Sequence, residues 1–263
     1  MLNTIKEQPM ETYGELIFKI NSFMGVVINS DSLPKSVTEF ERNLNQAIIH
    51  WREAGLLTVW LELTRDMSRY IPIAVACGFK FHHCQPDYIM LTHQLAPDAF
   101  IPPYATHYVG TGGVVLNQKE ELLVVVEQSD RLNRPNYYKL PGGTLCAGEH
   151  IVDGVIREVR EETGVKTEFD SLVCLRHWHE YRYGQSDLYF VCRLSPIAET
   201  ITMQEIEIHK CCWMPVAEFL AHENVGVFSK RIVEVALAGK GLHSGWLEGY
   251  KQNPEKREIF LPL

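Results

Sequence analysis

Acidic residues and glycines recur at a fixed spacing between positions 143 and 165 of this 263-residue chain. Gly143 is followed after five residues by Glu149, and seven further residues lead to Arg157 and Glu158. A pair of glutamates follows at 161 and 162, before a glycine at 164. Carboxylates held this close repel one another unless a divalent cation binds among them. The pattern therefore predicts a metal site, and its hard oxygen ligands suit Mg²⁺ or Mn²⁺.

A helix is expected to position these carboxylates. Residues 149 to 163 contain no proline, begin with an acidic residue and end at Gly164, as is typical of a helix. At 3.6 residues per turn the segment has an apolar stripe, with three carboxylates on an arc beside it. The stripe comprises Ile151, Val152, Val155, Ile156 and Val159, and the carboxylates are Glu158, Glu161 and Glu162. The preceding Pro141, Gly142 and Gly143 allow the backbone to approach a metal ion and a phosphate closely.

The whole pattern resembles the Nudix box, the signature of the Nudix hydrolases. The usual reaction of that family is cleavage of the pyrophosphate in a nucleoside diphosphate linked to another group. The resemblance implies that Glu158 and Glu162 bind metal and that Glu161 often joins them. It also implies a metal contact from a backbone carbonyl of the turn at Gly142 and Gly143.

Other residues of the box are expected to be structural. Arg157 lies one position off the metal-binding edge, and the resemblance implies that it pairs with Glu149 and orients the loop against the helix. Gly142 forms the turn, and Gly164 ends the helix. The alternative is a solvated, charged helix, which the accompanying glycines and Glu149 disfavour.

Hydrolysis also needs a group that orients or deprotonates the attacking water. The family usually supplies it from outside the box, often as a glutamate in the loop before a Trp-x-Pro-like segment. That loop is TMQEIEIHKCCWMP here, so Glu205 and Glu207 are the candidates. Each is alternatively a solvated residue at a strand edge. His209 is a further candidate, and Glu161 itself is another.

Composition is that of an ordinary globular protein, with 46% hydrophobic and 22% charged residues. The seven cysteines are scattered and never form a C-x-x-C arrangement, so neither a disulfide framework nor a zinc ribbon is indicated. The clusters at 82–84 and 211–212 are predicted to be strand residues rather than metal ligands.

Charge and hydropathy limit the partners. A net charge of −8 disfavours nucleic-acid binding, which relies on basic surfaces. The N-terminus lacks an apolar run of signal-peptide length, and no long uncharged apolar segment occurs. We therefore expect a cytoplasmic protein that binds a small nucleotide and no membrane. By resemblance alone, we expect a homodimer.

The Pro-rich segment at 95–107 divides two periodic regions, and we place a domain boundary after residue 104. In the first domain, 1–104, Ser36 is expected to cap a helix that ends at Gly55. A strand at 56–63, a short helix ending at Gly78 and a strand pair around Gln85 and Pro86 follow. This order resembles part of an acetyltransferase-like α/β domain. The Gly-rich turn that would seat acetyl-CoA is absent before residue 100, which disfavours acetyl transfer.

The second domain, 105–263, shows strands alternating around the box. Strands are predicted at 109–117 and 122–128, and a hairpin is predicted around Tyr183, Gly184 and Gln185. A further helix is expected within 229–241. The resemblance implies an α/β/α Nudix sandwich with a mixed sheet. For the C-terminal stretch from 244, packing on the domain and packing on a partner both remain open.

The sequence leaves several alternatives for the identity of the substrate. The two-domain layout resembles the branch related to the antisense fibroblast-growth-factor protein and to plant ADP-ribose and NADH pyrophosphatases, which favours those substrates. A diadenosine-polyphosphate hydrolase and a non-catalytic nucleotide-sugar sensor are the alternatives, and the intact box favours an enzyme over a sensor. Candidates for stacking on a nucleobase are Tyr138, Trp178, Tyr181 and Tyr183, each of which has sheet packing as its alternative role.

Overall fold

The computed structural model describes residues 9–239, 241–245, 247, 249, 253 and 255–262. The chain divides into two compact units, Met1–Ala105 and Thr106–Leu263. The first unit has one sheet and one buried hydrophobic cluster, and the second has three sheets and two such clusters. Within the described residues, no helix combines the length and the apolar character needed to cross a membrane.

The first unit is built on a six-stranded mixed sheet. Its strands are β1 (Glu11–Tyr13), β2 (Leu16–Ile20), β3 (Gly25–Ile28), β4 (Thr58–Thr64), β5 (Lys80–Cys84) and β6 (Tyr88–Gln94). They lie in the order β1-β2-β3-β4-β6-β5. Neighbours β3 and β4 run parallel, and the other described neighbours are antiparallel.

Two α-helices, α1 (Val37–Glu53) and α2 (Ile71–Ala76), complete the first unit. The predicted cap is present, because the Ser36 side chain accepts a hydrogen bond from the amide of Glu39 at 3.4 Å. The apolar side chains of α1 are buried in the core, including Phe40, Leu44 and Trp51. Fully burying each such side chain contributes about 1.5–3 kcal/mol. The predicted order of helix, strand, helix, strand and strand is confirmed.

Strands β1 to β3 were not predicted from the sequence. They are short, and they are interrupted at Gly14 and Met24, which adopt φ values of 57° and 58°. Strands of this length carry too few alternating residues for periodicity to reveal them.

The second unit contains a four-stranded mixed sheet and two smaller sheets. Its strands are β7 (His107–Val115), β8 (Glu121–Glu127), β9 (Gly142–Thr144), β10 (Thr167–Trp178), β11 (Ser186–Pro196), β12 (Ile208–Pro215), β13 (His243–Ser244) and β14 (Phe260–Leu261). The larger sheet has the order β10-β11-β7-β9, and the two-stranded sheets are β12-β8 and β13-β14. The predicted hairpin is the antiparallel pair β10 and β11. The cysteine and histidine clusters at 82–84 and 211–212 lie on β5 and β12.

Strands β7 and β8 differ from a simple hairpin. They are consecutive in the chain but belong to different sheets, and they share a single bridge between Leu116 and Leu122. Strand β8 instead pairs along its length with β12. This pairing brings the end of β8 beside the loop that precedes β12.

Three helices, α3 (Ile151–Thr163), α4 (Val216–Ala221) and α5 (Val227–Leu237), flank these strands. Alternate residues of a strand point to opposite faces of a sheet. Val114 of β7 packs in a cluster with Ile232 and Val233 of α5, whereas Val115 packs with Val155 and Val159 of α3. Helices α3 and α5 therefore cover opposite faces.

The start of α3 corrects the sequence-based expectation. The helix begins at Ile151 rather than at Glu149, because the Glu149 carboxylate turns back to accept a hydrogen bond from the amide of Cys146 at 2.9 Å. The first amides of α3 are capped by Glu258 of the C-terminal tail. Gly164 ends the helix as predicted, in the left-handed conformation with φ of 75°.

The C-terminal stretch is only partly described. Phe260 of β14 packs against Phe169 with ring centroids 5.7 Å apart, so this part of the tail packs on the second unit. Trp246 and Tyr250, which belong to the aromatic residues of the tail, lie outside the described residues.

Candidate active site

The sequence predicted a turn at Gly142 and Gly143, but the structure pairs both residues with β7 as the start of strand β9. These two glycines, called the glycine turn below, and the last two turns of α3 form the centre of the site. Gly142 has a φ of 153°, and a Cβ there would collide with the backbone of β7 at Thr111. A Cβ on Gly143 would lie 2.5 Å from Oε2 of Glu158. Only glycine therefore lets this backbone lie directly against the Glu158 carboxylate.

Glu162 is joined to the same turn. The amide of Gly142 donates a hydrogen bond to Oε2 of Glu162 at 3.1 Å. Burial raises the pKa of Glu162 to about 8, and the nearby carboxylates of Glu158, Glu127 and Glu207 add to this effect. Neighbouring negative charges disfavour the ionised form of a carboxylate, and a cation bound among them would favour it again.

Arg157 organises the outer side of the box. Its guanidinium donates to Glu149 from Nε at 2.7 Å and from Nη2 at 2.8 Å. Nη1 of the same group donates to Glu158 at 2.8 Å and to Glu161 at 3.0 Å. These hydrogen bonds lower the pKa of Glu149 to about 2, so this carboxylate stays ionised at neutral pH. The structure thus places Arg157 against Glu149 and, in addition, between two of the expected metal ligands.

The donor set fits a hard divalent cation. Glu158 and Glu162 present carboxylate oxygens beside the glycine backbone, whereas Glu161 lies further out and is exposed. Carboxylate and carbonyl oxygens are the ligands that Mg²⁺ and Mn²⁺ prefer. In the part of the chain that the structure describes, no three side chains are already arranged as a closed metal site. Arg157 bridges Glu158 and Glu161 and holds both in hydrogen bonds.

A cavity of about 360 Å³ opens beside Glu162. Its lining residues come from the end of β8, from α3 and from the loop before β12: Glu127, Gln128, Ser129, Glu162, Ile206, Glu207 and Ile208. Of the two glutamates predicted as candidate bases, Glu207 lines this cavity and Glu205 does not. His209 lies on β12 and is also not among the lining residues. The structure therefore brings Glu162 and Glu207 together and leaves Glu205 and His209 outside.

Gln128 holds the loop that carries Glu207. Its amide N–H donates to the carbonyl of Glu207 at 2.7 Å, and its side-chain Nε2 donates to the carbonyl of Glu205 at 2.8 Å. Gln204 adds a hydrogen bond, because its Oε1 accepts from the amide of Glu207 at 2.6 Å. Nothing in the sequence indicated Gln128, because its contact with this loop arises from the long-range pairing of β8 with β12.

Glu127 was also missed, although it is the last residue of β8. It accepts from Nζ of Lys139 at 2.9 Å, and Lys139 also contacts Asp130 at 3.3 Å. Arg134 pairs with Asp130 at 2.6 Å. This network of alternating charges holds Glu127, which lines the cavity. One feature of the sequence could have indicated Glu127: it lies at the end of an apolar strand, where side chains often line a site.

The aromatic residues predicted as candidates for stacking on a nucleobase lie in two different places. Trp178 and Tyr181 contact one another, with ring centroids 5.3 Å apart, and Tyr183 lies exposed in the same hairpin turn. Tyr138 instead packs against His222, with ring centroids 5.1 Å apart, next to the core beneath α4 and α5.

Comparisons with known proteins agree with these features. A family model described as Nudix hydrolase domain matches residues 16–95, and one described as NUDIX domain matches residues 106–235. Nudix hydrolase 2 of Arabidopsis thaliana is 37% identical over 206 residues, covering 78% of this chain and 74% of the relative. Nudix hydrolase 8 of the same plant is 37% identical over 222 residues, covering 83% of this chain and 60% of the relative. The human protein named nucleoside diphosphate-linked moiety X motif 6 is 36% identical over 203 residues, covering 76% of this chain and 64% of that protein.

Proposed function

The chain belongs to the Nudix hydrolase family, and from that premise we propose that it hydrolyses the pyrophosphate of a nucleoside diphosphate linked to another group. The observation that carries this proposal is the cavity that Glu162 and Glu207 both line, with Glu162 hydrogen-bonded to the amide of Gly142. Acidic ligands, an approachable backbone and a further carboxylate are the groups that metal-assisted phosphate chemistry needs.

Mg²⁺ or Mn²⁺ is the proposed cofactor. Glu158, Glu162 and the carbonyl of Gly143 would hold it, with Glu161 joining them. When bound, such an ion neutralises phosphate oxygens and lowers the pKa of a bound water. The role of Arg157 is then to hold Glu149 and Glu158 in place, and the role of Gly142 is to orient Glu162 through its amide.

Glu207 is the proposed general base. It lines the cavity, and the hydrogen bonds from Gln128 and Gln204 fix its backbone there. Glu205 and Glu161 remain the other candidates for this role. Their positions favour them less, because Glu205 lies outside the cavity lining and Glu161 is held by Arg157 on the outer side of the helix.

ADP-ribose or NADH is the proposed substrate type, with a diadenosine polyphosphate as the alternative. The name of the human relative supports a substrate in which a nucleoside diphosphate is linked to a second moiety. Trp178 and Tyr181 are proposed to contact the nucleoside, and Tyr138 is a further candidate nearer the core. A non-catalytic sensor is disfavoured because every carboxylate of the box is present.

The first domain, 1–104, is proposed to be acetyltransferase-like in fold. Its proposed role is either to shape the substrate pocket or to pair two protomers of a homodimer. The second domain, 105–263, is proposed to be the α/β/α sandwich of the family. We further propose a cytoplasmic protein with no nucleic-acid or membrane partner. Truncation at residue 104 tests the role of the first domain. An unchanged oligomeric state, activity and substrate range would contradict both roles.

A substrate panel tests the proposed activity. Phosphate release after coupled phosphatase treatment is measured for ADP-ribose, NADH, diadenosine polyphosphates, nucleoside triphosphates and CoA, with Mg²⁺ or Mn²⁺. Turnover concentrated on ADP-ribose or NADH is the expected result. Metal-dependent binding without turnover of any of these compounds would indicate a sensor instead.

A further inference from the structure

Arg176 of β10 lies among three aromatic rings on one face of the larger sheet. Its guanidinium carbon is 5.3 Å from the ring centroid of Trp178, 5.0 Å from that of Tyr189 and 5.4 Å from that of Phe228. Phe228 comes from α5, so a strand pair and a helix build this cluster together. Trp178 is 49% exposed and Phe228 is 41% exposed, which leaves both rings available to a ligand.

The guanidinium is held firmly in this position. Its Nη2 donates to Oδ2 of Asp187 at 2.7 Å, and Asp187 is itself buried. Among the described residues, Nε of Arg176 is buried without a hydrogen-bond partner. Buried polar atoms are normally paired, and an exception needs an explanation other than stability. A fixed, planar cation between exposed rings is a surface suited to a flat, electron-rich ligand.

Register connects this cluster to the glycine turn. Arg176 pairs with Tyr189 of β11, which pairs with Gly110 of β7, which pairs with Thr144 of β9. Residues that pair directly across strands point to the same face. The Tyr189 ring lies over Gly110, and its hydroxyl lies against Gly112, where a Cβ would collide with it. This face of the sheet therefore runs from Arg176 to Gly142, whose amide contacts Glu162, whereas Gly143 and Glu158 meet on the opposite face with α3.

The distance along this face suits a nucleoside diphosphate. Neighbouring strands lie about 4.8 Å apart, so three strand spacings place β10 roughly 14 Å from β9. That separation allows a pyrophosphate at the glycine turn and a base at the aromatic rings, with the ribose over Tyr189. The pyrophosphate of the substrate would then lie at the acidic surface of the box, and the base would lie at the aromatic surface.

We propose that Trp178, Phe228 and Arg176 form the subsite for the nucleobase of the substrate. The subsite rests on the proposed pyrophosphohydrolase function, whose scissile phosphates lie at the box. Trp178 and Phe228 contribute stacking area, and Arg176 contributes a planar cation whose orientation Asp187 fixes. Recognition of the base at this distance from the reaction centre makes these residues determinants of specificity rather than catalytic residues.

Binding of AMP and of ribose 5-phosphate to the full chain separates base recognition from phosphate recognition. AMP contains no pyrophosphate, so calorimetry measures its binding without turnover. The variants are Trp178→Leu and Phe228→Leu, with Phe23→Leu as a control at an exposed aromatic residue of the first unit. Arg176→Lys retains the positive charge beside Asp187 and removes the planar group.

We expect Trp178→Leu and Phe228→Leu each to weaken AMP binding about tenfold, which corresponds to about 1.4 kcal/mol of lost base stacking. Arg176→Lys is expected to weaken it as well. Binding of ribose 5-phosphate is expected to stay within about twofold of wild type, and the control is expected to change neither ligand. Unchanged AMP binding in the two leucine variants, or equal weakening of both ligands, would overturn the subsite.

Failure of the subsite and failure of the proposed function give different results. Hydrolysis that depends on Glu162 but has an unchanged KM in Trp178→Leu would retain the enzyme and reject the subsite. Base-dependent AMP binding that Trp178→Leu weakens, in a protein that hydrolyses none of the panel compounds, would retain the subsite and reject the enzyme. If Trp178→Leu does not fold, Arg176→Lys and Phe228→Leu decide the question by the same measurements.

Discussion

The amide of Gly142 donates a hydrogen bond to the Glu162 carboxylate across 3.1 Å. This contact ties the glycine turn to the last turn of α3, although 20 residues separate the two in the chain. The neighbouring Gly143 lies against Glu158 on the preceding turn of the same helix. Two glycines thus position two carboxylates, and the geometry of the site depends on the absence of their side chains.

Gly143→Ala is predicted to damage the site more than the fold. The added Cβ meets the carboxylate of Glu158, which is the movable end of a flexible side chain, so the protein is expected to fold with Glu158 displaced. We expect kcat to fall at least tenfold and Mn²⁺ affinity, measured by electron paramagnetic resonance, to fall with it. Gly245→Ala is the control, because Gly245 does not have a positive φ and its added Cβ meets only the flexible side chain of Leu261, at 3.2 Å. Normal Mn²⁺ binding by Gly143→Ala would contradict the proposed ligand arrangement.

Glu207→Gln and Glu205→Gln are predicted to differ sharply. Glu207 lines the cavity beside Glu162, whereas Glu205 does not. General-base catalysis contributes roughly 10²–10⁴-fold, so kcat of Glu207→Gln is expected to fall within that range. Glu205→Gln is expected to stay within about twofold of wild type. Steady-state kinetics compares the two, and the reverse order of effects would assign the base to Glu205.

Local spacing made the box helix and its end at Gly164 predictable, because both depend on residues close in the chain. The pairing of Gly142 and Gly143 with β7 was not predictable in this way, since it is a long-range contact. Contacts created by the fold were not predictable. Gln128 meets Glu207 only because β8 pairs with β12, and Glu258 caps α3 across 107 residues. The bridging of Glu158 and Glu161 by Arg157 was also missed. Spacing indicates which residues share a helix face but does not determine how many carboxylates one guanidinium can reach.

Glu258→Ala is predicted to destabilise the second unit. The Glu258 carboxylate accepts from the amides of Ile151 at 2.9 Å and Val152 at 3.1 Å, at the positive end of the α3 dipole. Loss of a helix cap costs about 1 kcal/mol. Urea unfolding is expected to show a lower midpoint for Glu258→Ala, with Glu258→Gln intermediate and the exposed Glu255→Ala unchanged. A midpoint equal to wild type would show that the tail does not stabilise the box helix.

His93 is predicted to make the first unit less stable in acid. Burial lowers the pKa of His93, and the nearby charges of Arg52 and Lys80 lower it further. Nδ1 contacts the Gly78 carbonyl and Nε2 contacts the Arg52 guanidinium, both at 3.0 Å, which suits a neutral ring.

A folded-state pKa below the unfolded value makes the unfolded chain bind more protons. The stabilising contribution of neutral His93 is therefore complete above about pH 6.5 and is lost as the pH falls below that value. Between pH 7.5 and 5.5 the urea midpoint is expected to fall more for wild type than for His93→Gln. Parallel pH dependence in the two proteins would contradict this role.

Glu162→Gln gives the most direct test of the central claim that the box performs metal-dependent hydrolysis. Burial and neighbouring carboxylates raise the pKa of Glu162 to about 8, so the neutral amide is expected to leave the unfolding midpoint nearly unchanged. Turnover of ADP-ribose or NADH with Mg²⁺ is expected to fall by about 10³-fold or more, while the surface control Glu234→Gln retains wild-type turnover. Wild-type turnover by a folded Glu162→Gln protein would contradict the account.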